Sequence, residues 1–310
     1  MTVTTSFNFA MESTWADSPP VSGLEGRGSC QQTEAMQNKL FVVVLGAVLS
    51  VTASAQKIVI KGSDTLGAKM VPQLAEAYKA GGEKASFEIA AEGSSQAFSA
   101  LLAKAADIGM SSRDAKDKEK NDFIARGRKL VEHVAAFDMI AVIVNGNNGV
   151  RGLSLKQVEG IFTGSITNWQ QVGGKPGAIS VYTRNTTSGT YKSFQGMAMN
   201  KRDYGSQTQK MAGNEQIAEE VAKNVNGIGY VGLAYTAKKG IKAVQVDRVS
   251  PKPRFAAKYP LSRKLYYYTD GEPVGEVAKF ITWTTNRGSQ ETSDSGRGGR
   301  AFAQAGSAVG

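Results

Sequence analysis

The sequence predicts an α/β protein of two domains, on three observations. Short β-rich runs alternate with helical periods over 56–290, three Gly/Ser/Thr clusters fall between a strand and a helix, and both ends differ in composition from the chain between them. The 310 residues, 41% of them hydrophobic, suffice for one large core or two modest ones.

The elements follow in order. Residues 57–61 read as a strand and 73–79 as a helix with Leu74, Ala77 and Tyr78 on one face; Pro72 belongs in its first turn, where a missing N–H costs little. Strand 86–90, helix 96–104 and strand 107–110 come next. A charged helix over 117–127 precedes an apolar strand, 139–145, that ends in Asn145-Gly146-Asn147-Asn148-Gly149, where the chain changes domain. The second set is helix 155–161, strand 179–183, helices 191–199 and 214–224, and strand 228–233. Runs 244–246 and 265–268 are expected as strands back in the first domain, with a closing helix from about Val274. The expected division is therefore 56–138 with 236–290 as domain 1, and 139–235 as domain 2.

The ends read differently. Met36, Lys39, an apolar run over 40–49 and Ala53-Ser54-Ala55 have the three parts of a secretory signal peptide, 36–55, with cleavage after Ala55. Its apolar run is too short to span a bilayer. Residues 1–35 are expected to be a non-native upstream extension, with Met36 the true start. The Gly-, Ser- and Arg-rich stretch 291–310 is expected to be a disordered or aberrant tail.

The net charge of +10 favours anionic partners. Its basic residues are interspersed with acidic ones, as in Arg113, Asp114, Lys116 and Asp117, which argues against a nucleic-acid surface. A lone cysteine, Cys30, excludes an intramolecular disulfide, and a lone histidine, His133, excludes a His-rich metal site. His133 sits in a core-like run, 131–137, and is expected to be structural; no metal, no cofactor and no catalysis are expected. Chemistry must rest on hydroxyls, carboxylates, arginine and backbone N–H groups.

Those groups gather in three clusters, Gly62-Ser63-Asp64-Thr65, Gly93-Ser94-Ser95 and Ser188-Gly189-Thr190, each before a helix. A helix start presents unpaired N–H groups and positive dipole to an anion, with glycine permitting close approach. Each cluster alone reads more readily as an ordinary N-cap. Arg113, after Ser111-Ser112, and Arg184, four residues before Ser188, add cations at the carboxyl ends of strands, where open α/β sheets bind ligands.

The clusters and the text between them resemble the substrate-binding proteins of phosphate ABC transporters. The similarity runs over 57–283 and includes Ile60-Lys61-Gly62-Ser63-Asp64-Thr65, Ala106-Asp107-Ile108-Gly109-Met110-Ser111-Ser112-Arg113, Ile161-Phe162-Thr163-Gly164, Arg184 through Thr190, Ile228-Gly229-Tyr230-Val231 and Tyr259-Pro260-Leu261-Ser262-Arg263. The resemblance implies the type II periplasmic-binding-protein fold, a ligand cleft between two Rossmann-like α/β domains joined by a two-segment hinge. It implies contacts to inorganic phosphate from Ser63, Thr65, Ser94 or Ser95 and Ser112 in the first domain. From the second, it implies Arg184, Ser188, Gly189 and Thr190, with Asp138 at the hinge. The protein would be a periplasmic or extracellular monomer that delivers its ligand to a transporter permease. Two departures stand out: some members carry Asp at the position of Ser112 and an acidic residue at that of Thr186. Asp64 is the carboxylate left within the clusters, either a proton acceptor that favours phosphate over sulfate or a cap for the following turn. The alternatives are another oxyanion (sulfate, molybdate, tungstate) or a phosphate-sensing or adhesion role.

Overall fold

A computed structural model describes residues 56–294, with side chains through Asn286. The signal peptide with its cleavage site, the upstream extension, Cys30 and residues 295–310 lie outside the described residues.

The chain runs β1 (Gln56–Gly62), α1 (Asp64–Gly67), α2 (Met70–Ala80), β2 (Ala85–Ala90), α3 (Ser94–Leu102), β3 (Ile108–Ser111), α4 (Asp117–Ile124) and β4 (Leu130–Asn145). It continues through β5 (Gly152–Leu153), α5 (Leu155–Thr163), β6 (Ser180–Arg184), α6 (Gly189–Ala198), β7 (Gln209–Met211), α7 (Asn214–Lys223) and β8 (Gly227–Gly232). The last elements are β9 (Ile241–Ala243), β10 (Gln245–Val246), β11 (Ser262–Asp270) and α8 (Gly275–Asp294).

One long strand makes the frame of both lobes. The sixteen residues of β4 pair with antiparallel β11 up to Met139, opposite Ser262, and with antiparallel β8 from Ile140, opposite Gly232. The pairing thus changes partner at one peptide link, and the sheet order β2-β1-β3-β11-β4-β8-β6-β7 falls into a first-lobe half and a second-lobe half. In each half, parallel strands connected through helices put their carboxyl ends at the middle of the molecule. The burial string of β4 explains why it can do this: alternation is broken near its start, and Met139 to Asn145 are all buried, as a strand covered on both faces must be.

Each lobe has its own apolar core. Ile58, Ile60, Tyr78, Met110, Tyr267 and Phe280 fill the first, with Phe98, Phe123 and Tyr268 on its other face. Val142, Phe162, Trp169, Phe194 and Tyr230 fill the second, and Ile143, Ile217 and Val231 its other face.

Three elements depart from expectation. The run 131–137, expected as core, is the front half of β4: Glu132 and Phe137 are exposed, and half-buried His133 sits 3.1 Å from Thr269 Oγ1. Val244 and Val246, expected in the first lobe, belong to the second. There β9 pairs antiparallel with the end of β4, β10 pairs with β5, and Val244, Val246, Tyr259 and Leu261 are buried in the second-lobe core. The return to the first lobe comes at Ser262, not near 236, because a short strand at a sheet edge is claimed by whichever lobe offers a free edge. The closing helix α8 extends through Asp294, into the segment expected as a tail.

Candidate anion-binding site

The three clusters meet where the two halves of the sheet face each other. On the first-lobe side, the carboxyl end of β1 is tied to both neighbours: Ser63 N donates to Met110 O (2.8 Å) and Gly93 N to Gly62 O (2.7 Å). These bonds bring the ends of β1 and β3 and the start of α3 together. Ser63 Oγ and Ser112 Oγ hydrogen-bond each other, and Ser112 N donates to Ser94 Oγ (2.9 Å). Ser63, Ser94 and Ser112 are each no more than 1% exposed.

The second-lobe side rests on β6 and α6. Ser188 caps α6 by accepting from Tyr191 N (3.3 Å), which holds Gly189 and Thr190 in the first turn. Arg184 ends β6, its N–H donating to Tyr230 Oη (3.2 Å); Tyr230 in turn reaches Tyr204 (3.1 Å), which donates to Tyr191 O (2.8 Å). Burial pushes both phenols above their ordinary range, so this relay stays neutral.

The sides touch through groups on both. Thr65 Oγ1 and Thr190 Oγ1 are 2.9 Å apart, Ser95 N donates to Thr187 O (3.1 Å), and Ser193 Oγ donates to Ser112 O (2.9 Å). Glycine is required at two of these approaches. Gly93 has φ of 119°, and a Cβ there would stand 2.7 Å from Thr187 Oγ1; a Cβ at Gly189 would stand 2.8 Å from Ser94 Cβ and 3.2 Å from Arg113 Cγ.

The charges at this junction come in pairs. Arg113 gives both terminal nitrogens to Glu119 (2.7 Å each), Arg184 Nη1 lies 2.9 Å from Asp64 Oδ1, and Arg263 donates to Asp138 through Nε (3.1 Å) and Nη2 (2.8 Å). Burial holds the Arg184 pKa below the usual guanidinium value, opposed by Asp64. The pairing is incomplete as hydrogen bonding. Arg184 sends Nε and Nη2 to Ala212 O (3.2 and 2.8 Å), while Nη1, though close to Asp64, has no hydrogen-bond acceptor in line with its N–H groups. Arg113 Nε is likewise buried without an acceptor. Among the described residues, buried side-chain polar atoms without a hydrogen-bond partner are these two and Tyr267 Oη, which lies in the first-lobe core. Such atoms are costly unless something else completes them.

All the sequence-predicted residues, Ser63, Asp64, Thr65, Ser94, Ser95, Ser112, Arg113, Arg184, Ser188, Gly189 and Thr190, stand at this junction or in the first residues flanking it. Asp138 is at the crossing, accepting from Leu233 N (3.0 Å) and from Arg263, its register partner on β11. Two further residues join them unforeseen. Asn214 donates from N (2.9 Å) and Nδ2 (2.6 Å) to Asp64 Oδ1, and Arg263 Nη1 donates to Thr190 Oγ1 (3.0 Å) and Ser112 O (3.1 Å). Arg263 stood in a family motif, Tyr259 to Arg263, whose last residue could have been paired with Asp138; nothing around Asn214 marked it beyond the start of a helix. Among the described residues, no His, Cys, Asp and Glu group could hold a metal ion.

The fold and this junction define a two-lobed binding protein, and comparison with known proteins agrees. A family model described as a PBP superfamily domain matches residues 48–287. A phosphate-binding protein, PstS, of Pseudomonas aeruginosa is 32% identical over 236 residues, 68% of this chain and 72% of that one, and PstS of Bacillus subtilis is 28% identical over 237 residues, 76% and 77% of the two chains. A Clostridium perfringens structure, named for a phosphate ABC transporter substrate-binding protein with bound phosphate, superposes with a TM-score of 0.71 at 30% identity, covering 81% of this chain and all of that one. The receptor of an ABC-type phosphate transport system from Vibrio cholerae gives 0.61 at 30% identity, over 76% and 96%. The chain belongs to the phosphate-binding protein family of the PBP superfamily, a family of solute-binding proteins.

Proposed function

We propose that the protein captures inorganic phosphate between its lobes and hands it to an ABC transporter for uptake, without catalysing a reaction on it. The observation that carries this is two buried guanidinium nitrogens without an aligned hydrogen-bond acceptor, Arg113 Nε and Arg184 Nη1, one from each lobe, among buried serine and threonine hydroxyls. A tetrahedral oxyanion has acceptors enough to complete both. Ser63, Thr65, Ser94, Ser95, Ser112, Ser188 and the N–H groups of Gly189 and Thr190 would supply the remaining donors, with Asp138 and Arg263 holding the crossing. Charge-assisted hydrogen bonds of about 1.5 to 3 kcal/mol each reach micromolar affinity, about 8 kcal/mol, with a handful of contacts.

The PstS relatives and the phosphate-bound neighbour support phosphate as the ligand and a permease as the partner. Export through the segment 36–55 with cleavage after Ala55, a periplasmic or extracellular location and a monomeric state complete the proposal. Among the described residues no helix is long and apolar enough to cross a membrane. The test is calorimetric titration of the purified protein, stripped of ligand by unfolding and refolding, with phosphate and with sulfate. Micromolar or tighter phosphate binding with weaker sulfate binding is expected; sulfate binding tighter than phosphate overturns the assignment. Ser112 has a hydroxyl where some relatives have a carboxylate, so this chain must reject sulfate by other means or reject it less.

A further inference from the structure

Asp64 belongs to the first lobe, yet the partners of its carboxylate belong to the second. Oδ1 takes Asn214 N (2.9 Å) and Asn214 Nδ2 (2.6 Å) and lies 2.9 Å from Arg184 Nη1; the backbone carbonyl of Asp64 accepts from Tyr235 Oη (3.2 Å). Asn214 opens α7, whose N-cap is Gly213, a residue with no side chain to accept the free N–H groups of the first turn. Asp64 therefore caps a helix of the opposite lobe. Gly213 is what lets it in: a Cβ there would stand 3.0 Å from Asp64 Oδ2.

We propose that Asp64 is a closure residue: by capping α7 and neutralising Arg184 across the cleft, it sets how far the lobes are closed before an anion arrives. When the lobes part, α7 loses its cap and a 1% exposed arginine loses its counter-charge, so opening is opposed without ligand. Apparent affinity falls in proportion to the closed fraction, so losing this clasp weakens every anion the cleft accepts by the same factor. A proton acceptor acts differently: its loss weakens the protonated anion, phosphate, and favours sulfate.

The inference rests on the anion-capture reading, and the test separates the two. Asp64→Asn and Gly213→Ala are compared with wild type by titration with phosphate and sulfate, and by small-angle scattering of the ligand-free proteins. Asp64→Asn is expected to weaken both anions by about 10- to 100-fold, the equivalent of one charge-assisted bond, with their ratio unchanged within about threefold. Its ligand-free radius of gyration should rise, with circular dichroism unaltered. Gly213→Ala, which removes no ligand-facing group, should shift both readouts in the same direction by less. Unchanged affinity and radius overturn the proposal, as does a selective loss of phosphate with the radius unmoved, which makes Asp64 the proton acceptor. If wild type binds no phosphate, the functional reading falls and ligand-free scattering alone decides: a more open Asp64→Asn supports the clasp, an identical radius overturns it.

Discussion

Arg113 and Arg184 occupy equivalent places, each at the carboxyl end of a strand in its own lobe, each buried and each with one nitrogen that lacks an aligned hydrogen-bond acceptor. Their counter-charges differ in origin. Glu119, six residues beyond Arg113 in the first turn of α4, neutralises it within the first lobe, whereas Asp64 reaches Arg184 from across the cleft. Arg113 also lies over the Phe98 ring (5.1 Å), so its counter-charge and this ring contact belong to the lobe and persist whether the lobes meet or part. Arg184 keeps its bonds to Ala212 O within its own lobe, but its counter-charge is present only when the lobes meet. Two buried arginines of equal charge are thus suited to unequal roles in the proposed site: one to serve the ligand, the other to serve the ligand and report closure.

The largest effect should come from Arg184→Gln. It removes a donor and leaves Asp64 facing the cleft unneutralised, and truncating one partner of a buried charge pair costs about 2 to 5 kcal/mol, so phosphate affinity should fall about 30- to 5,000-fold by titration. Arg113→Gln should cost less, about tenfold, because its loss leaves Glu119 unpaired inside one lobe and does not touch closure. It should lower the melting temperature of the ligand-free protein instead. An equal affinity loss in both variants, with equal scattering radii, would remove the distinction between them.

A smaller effect is expected at the rim. Lys69 of the first lobe contacts Glu215 (2.7 Å), which also takes Lys238 (2.9 Å), and these partners, Lys69 foremost, hold the Glu215 carboxyl below its ordinary value of 4.5. Ionised Glu215 therefore favours the closed lobes. That contribution is complete above pH 4.5 and is lost as the pH falls through the lower closed-state value. The pair is exposed, so Glu215→Gln should weaken binding only about two- to threefold in dilute buffer and not at all in about 1 M salt. His133 serves as the control. Burial holds its pKa below 6.5 against the pull of Glu272 and Glu132, so its contribution to stability is full above 6.5 and declines in acid. His133→Gln should flatten the acid limb of the stability curve and leave phosphate affinity unaltered.

Much of this was legible in the chain. The alternation of strands and helices, the three clusters and both arginines need only local periodicity and strand-end chemistry, and Ser188 caps its helix as its residue type requires. Local pattern could not assign Val244 and Val246, because two- and three-residue strands carry too little periodicity to choose a lobe. Nor could it show that β4 serves both halves of the sheet, since the pattern changes inside a continuous strand.

Asp64 marks the boundary between the two kinds of knowledge. Its residue type, its place after a strand and its neighbours Ser63 and Thr65 were enough to mark it as a candidate for an anion site, because helix-start chemistry is local. Whether its carboxylate faces the ligand, its own turn or a helix 150 residues later in the chain was decided by tertiary structure alone. The reason is physical: a carboxylate goes to the donors left unpaired nearest to it, and the uncapped start of α7 and the Arg184 guanidinium are brought there only by the meeting of two lobes.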